Sequence, residues 1–209
     1  MLDKIKENFK YSESIHGSFY YLNESKINKH IFDVNVLSFK NFYANLILYV
    51  NDNIFELGDE SIEELRSLMD QNDIDSKYYR NSFFGKKLMN KYHSINREDQ
   101  RGMKMGNMVI QIGREIMESV RHNYHDVTCI DTDMIISEST IEIDIELPIE
   151  KEKYECIRFI NAKRYVFKEY GESEIKVRGY TRRDLQKTLG YQQEMMKLLR
   201  KQKLKKILE

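Results

Sequence analysis

The chain has 209 residues and a single proline, and its 34 Lys and Arg balance 34 Asp and Glu. That length supports one sizeable core, as one domain or one with a small appendage. The neutral charge excludes a globally basic polyanion binder, so any nucleic-acid contact must come from local patches. Two cysteines, Cys129 and Cys156, form no C-x-x-C and are too few for a disulfide framework, which fits a reducing compartment. The opening Met1-Leu-Asp-Lys lacks an apolar signal core, and no run approaches the ~18 apolar residues of a membrane span. A cytoplasmic protein without a membrane segment is expected.

Apolar residues at 31, 32, 34 and 36 predict a strand from His30, followed by a buried helix from Asn41 to Val50. Ser61-Ile-Glu-Glu64 has capping-box spacing and precedes Ile62, Leu65 and Met69 on one helical face. A second helix is predicted from Lys77 to Asn90, then a polar connection with two glycines from His93 to Gly106. Val109, Ile112, Ile116 and Val120 recur at helical steps, so residues 107 to 122 form a core-facing helix. The period then changes. Val127 to Ile130 and Met134 to Ile136 are β-rich runs around Asp131-Thr132-Asp133, an acidic hairpin bend. Ile141, Ile143, Ile145 and Leu147 alternate with acidic residues, which predicts a half-buried strand. Residues 164–170 and 174–178 flank Gly171 as a further hairpin, and the lysine-rich tail from Leu185 is helical, with Leu189, Met196, Leu199 and Leu204.

Several residues share faces on these elements. Lys77, Asn81 and Phe84 are four and three apart, which sets them on one side of a helix. Lys163 and Tyr165 lie on one side of a strand, with Arg164 on the other. Asp131 and Asp133 are metal-site candidates, although aspartate at a bend is also ordinary turn chemistry. His122 and His125 have no ligand partner at metal spacing.

The ordered series Lys77-Tyr-Tyr-Arg-Asn81-Ser82-Phe-Phe84-Gly85, Cys129-Ile-Asp131-Thr132-Asp133, Lys163-Arg164-Tyr165 and Thr181-Arg182-Arg183-Asp184 resembles the palm and part of the fingers of a family B DNA polymerase, of phage or viral type. The resemblance covers roughly Gly17 to Asp184. It implies an α+β palm whose antiparallel sheet, carrying Asp33 and the Asp131 hairpin, is backed by helices. On this reading residues 1–53 and 91–184 are palm, 54–90 reduced fingers, and 185–209 a basic helix where a thumb would begin. No exonuclease domain and little thumb are expected. Lys77, Asn81, Phe84, Gly85 and Tyr43 are implied as nucleotide contacts, and Lys163, Tyr165, Arg182 and Arg183 as contacts to primer and template.

Two-metal nucleotidyl transfer needs carboxylates that share Mg²⁺ or Mn²⁺. The resemblance assigns the metals to Asp133, with Asp131 beside it, and to an aspartate of a D-x-x-S-L-Y-P element. Phe32-Asp33-Val34-Asn35 copies the opening of that element and makes Asp33 the ligand. A register five residues later aligns Asn41-Phe42-Tyr43-Ala44 with S-L-Y-P and puts Ser38 at the aspartate. An insertion between Asp33 and Asn41 would satisfy both. Two functions follow: a minimal polymerase acting on DNA primer-template and dNTP, or a non-catalytic pseudo-polymerase that binds DNA or scaffolds a replication complex. The amphipathic tail is the expected docking element for a protein partner.

Overall fold

The computed structural model describes residues 1–3, 7, 9–10, 18–54, 60–69, 71, 74–83, 97–181 and 184–208. The chain divides into two compact units. One comprises Met1–Phe19, Phe39–His122 and Ile143–Ile149, the other Tyr20–Ser38, Asn123–Glu142 and Glu150–Glu209.

The first unit is helical: α1 spans Phe42–Asn53, α2 Glu60–Ser67, α3 Ile74–Phe83 and α4 Arg97–Asn123. Helix α1 buries Phe42, Ala44, Leu46, Ile47 and Val50, a stripe set by the periodicity of its sequence. It meets α4 at Gly113, where a Cβ would stand 3.3 Å from both Leu46 Cδ1 and Phe42 Cε1. Helix α2 buries Ile62 and Leu65. Buried Arg80 of α3 donates through Nη1 to the carbonyls of Leu68 and, at 2.7 Å, Gln71. It thereby satisfies acceptors that the end of α2 leaves open.

Helix α4 starts at Arg97 and runs through Gly102 and Gly106, where the sequence predicts a polar connection up to Gly106. Each glycine costs about 1 kcal/mol relative to alanine. Burial of Met105 and propagation from the core-facing turns that follow offset this cost.

The second unit holds a seven-stranded sheet. Its strands are β1 Tyr20–Leu22, β2 His30–Phe39, β3 Val127–Asp131, β4 Met134–Ser137, β5 Ile149–Asn161, β6 Arg164–Glu169 and β7 Lys176–Arg178. They lie in the order β1-β3-β4-β2-β5-β6-β7. The β1–β3, β3–β4, β4–β2, β5–β6 and β6–β7 pairs are antiparallel. This is the α+β class expected from the sequence.

The strand predicted at Ile141–Leu147 is not one. Its burial does alternate, with Ile141 buried and Glu142, Asp144 and Glu146 exposed, but the segment joins no ladder. Instead the Ile145 N–H turns back onto the Ile143 carbonyl at 3.2 Å. Pairing begins at Ile149, in a strand whose first turn of charge, Glu150 to Lys153, is exposed.

Each face of the sheet has its own core. One face buries Ile31, Val34, Val36, Cys129, Met134, Ile136, Tyr154, Ile157, Phe159, Tyr165 and Phe167. A register shift between Tyr154 and Cys156 accounts for the odd spacing of the β5 members, since a bulge flips the alternation. The other face joins Cys156, Val166 and Ile175 to Met195 and Leu199 of helix α5, Leu185–Leu208. The face of α5 expected to dock a partner is therefore used within the chain at Leu199, with Met196 packed beside it. Leu189, Leu204 and Ile207 remain exposed. The helix starts where Thr181 and Asp184 bond reciprocally: the Thr181 N–H and hydroxyl donate to Asp184 Oδ2, and the Asp184 N–H to the Thr181 carbonyl. This is the logic of a capping box.

The sheet curls within its unit. Asp131, at the end of β3, touches β6 and β7 although β4, β2 and β5 intervene in the ladder. Ile27 bridges Phe159, and Lys163 Nζ lies 4.0 Å above the Tyr20 ring. Among the described residues no helix is long and apolar enough to cross a membrane.

Candidate functional site

The acidic bend joins two strands buried along their whole length, β3 and β4. Asp131 pairs with Met134, which leaves only Thr132 and Asp133 to turn the chain. The Asp133 N–H donates to the Asp131 carbonyl at 2.8 Å, and Thr132 has a φ of 64°, a γ-turn geometry. A β-branched residue in the left-handed region is a true outlier. Such strain costs on the order of 1–3 kcal/mol and persists only where the surroundings over-determine it. Here the two buried strands do so.

Asp131 is 5% exposed, and one of its carboxylate oxygens has two partners. Its Oδ2 accepts from the Tyr165 hydroxyl at 3.2 Å and lies 2.8 Å from Arg178 Nε. A buried carboxylate without such partners would be costly. Tyr165 and Arg178 face each other in the β6–β7 register, so neighbouring strands deliver both donors to one oxygen. Burial pushes the Tyr165 phenol far above its ordinary value, opposed by Arg178 and reinforced by Asp131. Asp133 is half-buried, and its carboxyl is also held above the usual range. Burial raises it, its own backbone N–H and Arg178 oppose, and Asp131 adds repulsion.

The ladder places the two candidates for the first carboxylate position differently. Ser38 pairs with Met134, beside the bend. Paired residues share a face, so Asp131, Met134 and Ser38 form one row across β3, β4 and β2. Asp33 lies five residues back along β2, roughly 16 Å at ~3.3 Å per residue. It is exposed, has a φ of 57°, and accepts a hydrogen bond from the Tyr170 hydroxyl. The structure does not bring Asp33 to the acidic bend; it brings Ser38.

Other expected contacts are placed as follows. Lys163 sits in the turn before β6, its N–H on Asn161 Oδ1 at 2.9 Å and its ammonium over Tyr20, and both it and Arg164 are exposed. Tyr165, expected on the same side as Lys163, is wholly buried, which leaves no ring face for a nucleic-acid backbone. Alternation held within β6, but the residue before the strand belongs to the turn. Tyr43 lies on α1 with its hydroxyl 2.9 Å from Ser18 Oγ. Lys77 and Asn81 lie one turn apart on α3, and their side chains fall outside the described residues, as do Phe84, Gly85, Arg182 and Arg183 altogether.

Sequence reading missed Arg178. An arginine in a three-residue exposed strand has no periodic signal. The one available clue was that a buried carboxylate in a hairpin demands a cationic partner.

The donor set does not fit a pair of divalent ions. Beside Asp133, the ligand the resemblance implies, Asp131 Oδ2 is already held by a guanidinium and a phenol, and β2 offers a serine hydroxyl where a second carboxylate is required. Magnesium selects oxygen donors led by carboxylates, and among the described residues no group of three His, Cys, Asp or Glu could hold a metal.

A curled antiparallel sheet with an acidic hairpin at one strand end, joined to a helical unit, defines an α+β protein of polymerase-like fold. Among solved structures the chain is similar to phi29 DNA polymerase, with a TM-score of 0.53, 13% identity and 87% of this chain covered. It is also similar to the family B DNA polymerase from the hyperthermophilic archaeon Pyrobaculum calidifontis, with a TM-score of 0.45, 14% identity, and 81% of this chain against 30% of that one. The chain spans about half the length of the phi29 enzyme, 53%. No family model and no curated protein matches it.

Proposed function

We propose that the chain is a non-catalytic, polymerase-like module that binds DNA, as a subunit of a larger replication assembly. The observation that carries this reading is the register of β2 against β4, which sets Ser38 rather than Asp33 beside the Asp131–Asp133 bend. A hydroxyl is a poor magnesium ligand where two-metal chemistry needs a carboxylate. DNA contact rests on the exposed Lys163 and Arg164 at the β5–β6 turn and on the polymerase-like fold. Arg182 and Arg183 follow in sequence.

The test joins a primer-extension assay with Mg²⁺ or Mn²⁺ to anisotropy titrations of a primer-template across a salt series. No extension is expected. Binding is expected to weaken steeply with salt, and Lys163→Ala should reduce the slope by about one unit. Extension by the unmodified chain that Asp133→Ala abolishes would overturn the non-catalytic reading. A salt series identical for the wild type and Lys163→Ala would remove this surface from the interface.

A further inference from the structure

We propose that Arg178 supplies the positive charge at the acidic bend: its guanidinium balances the bend from within the chain and fastens β3 to β7, which keeps the curled sheet closed. The inference rests on the non-catalytic reading and gives the retained Asp131-Thr132-Asp133 bend a role that requires no metal.

The geometry has three parts. First, the Arg178–Asp131 contact joins strands that the ladder separates, since β4, β2, β5 and β6 all lie between β3 and β7. It therefore closes the sheet rather than extending it. Second, the contact is directed. Nε of Arg178 meets the same Oδ2 that accepts from Tyr165, and a guanidinium presents its donors in a fixed fork suited to a carboxylate. Third, the approach of β7 is built in at Gly179. That residue has a φ of 77° and lies so near the β5–β6 turn that a Cβ would stand 1.8 Å from the Lys163 carbonyl oxygen. Only glycine lets Arg178 come this close to the bend.

An arginine fixed on Asp131 and a divalent ion on the neighbouring Asp133 oppose each other, because their charges repel across the same bend. Removing the guanidinium and restoring a carboxylate in the row with Met134 should therefore create a metal site. The experiment is a Mn²⁺ titration followed by the free-ion paramagnetic resonance signal, on the full-length wild type, Arg178→Gln and the double variant Ser38→Asp/Arg178→Gln. The wild type should bind no stoichiometric Mn²⁺ in the micromolar range. The double variant should bind one ion at least tenfold more tightly than the wild type, and Mn²⁺ should raise its unfolding temperature while leaving that of the wild type unchanged.

Stoichiometric micromolar binding by the wild type would overturn the proposal, and this holds even if the double variant fails to fold. An Arg178→Gln protein as stable as the wild type in urea would overturn the fastening role. Wild-type Mn²⁺ binding without primer extension would defeat this inference alone, whereas primer extension would defeat the non-catalytic reading beneath it.

Discussion

Two glycines with positive φ separate the effect of backbone conformation from that of close approach. Gly171, at 82°, has nothing within 4 Å of an added Cβ; Gly179, at 77°, would set that Cβ 1.8 Å from the Lys163 carbonyl oxygen. Alanine at Gly171 therefore incurs only the left-handed conformation, about 1–2 kcal/mol. Alanine at Gly179 incurs the same and must also force two backbone segments apart, by about 1.2 Å before the contact reaches the 3.0 Å limit of real structures. Overpacking of that kind adds about 1–3 kcal/mol, for a total near 2–5 kcal/mol. With about 2–4 °C per kcal/mol for a chain of this size, Gly171→Ala should lower the unfolding temperature by about 2–8 °C and Gly179→Ala by about 4–20 °C, roughly twice as much. Thermal unfolding followed by far-ultraviolet circular dichroism reads both. Equal losses would refute the close approach of β7 to the β5–β6 turn, and with it the seating of Arg178 on Asp131.

Burial pushes the Cys156 thiol up to about 12 and the Cys129 thiol higher still, and reactivity belongs to the thiolate. At pH 8 the native protein should thus resist a thiol reagent that labels both cysteines promptly in denaturant; rapid native labelling would contradict the core assignment. Asp133 has a folded-state pKa raised first by burial, so the protonated form suits the folded protein. Its contribution to stability is fully present below the unfolded value of about 3.9 and is lost as pH rises through the higher folded value. Asp133→Asn should accordingly be more stable than the wild type near pH 7 and lose that advantage near pH 3.5, as read by urea midpoints. A variant less stable at neutral pH would indicate a favourable charge on Asp133.

Periodicity carried much of the fold. The stripe at Val109, Ile112, Ile116 and Val120 marked α4, and the two apolar runs around Asp131-Thr132-Asp133 marked the hairpin, because local period and final burial coincide there. It failed where burial and pairing part company. Ile141 to Leu147 alternate in burial without joining a ladder, while Glu150 to Lys153 conceal the start of the longest strand under exposed charge. The helix start at Arg97 was hidden by Gly102 and Gly106, whose local cost the neighbouring core outweighs. At the site, sequence alone could not choose between Asp33 and Ser38, because each satisfies part of one motif. What sets the two apart is the pairing of β2 with β4, a contact between residues about a hundred positions apart that puts Ser38 beside the bend. Arg178 was invisible for the same reason.

An acidic D-T-D bend is thus not by itself evidence of catalysis. Asp131 sits at the junction of three strands, 5% exposed, with its charge met by Arg178 and its oxygen also held by Tyr165. Replacing the carboxylate alone would leave the buried Tyr165 phenol without its acceptor, at about 1–3 kcal/mol for an unpartnered buried polar group, and would release a guanidinium that is 47% exposed to water. Neutralising Arg178 alone would leave the carboxylate buried with a single neutral donor. Each partner therefore holds the other in place whether or not a metal ever binds. The position under no such restraint is the one across Met134, where Ser38 makes no contact with that network and where a carboxylate would serve only a metal. Closing the sheet therefore requires the acidic bend and asks nothing of the position on β2, where this chain has Ser38.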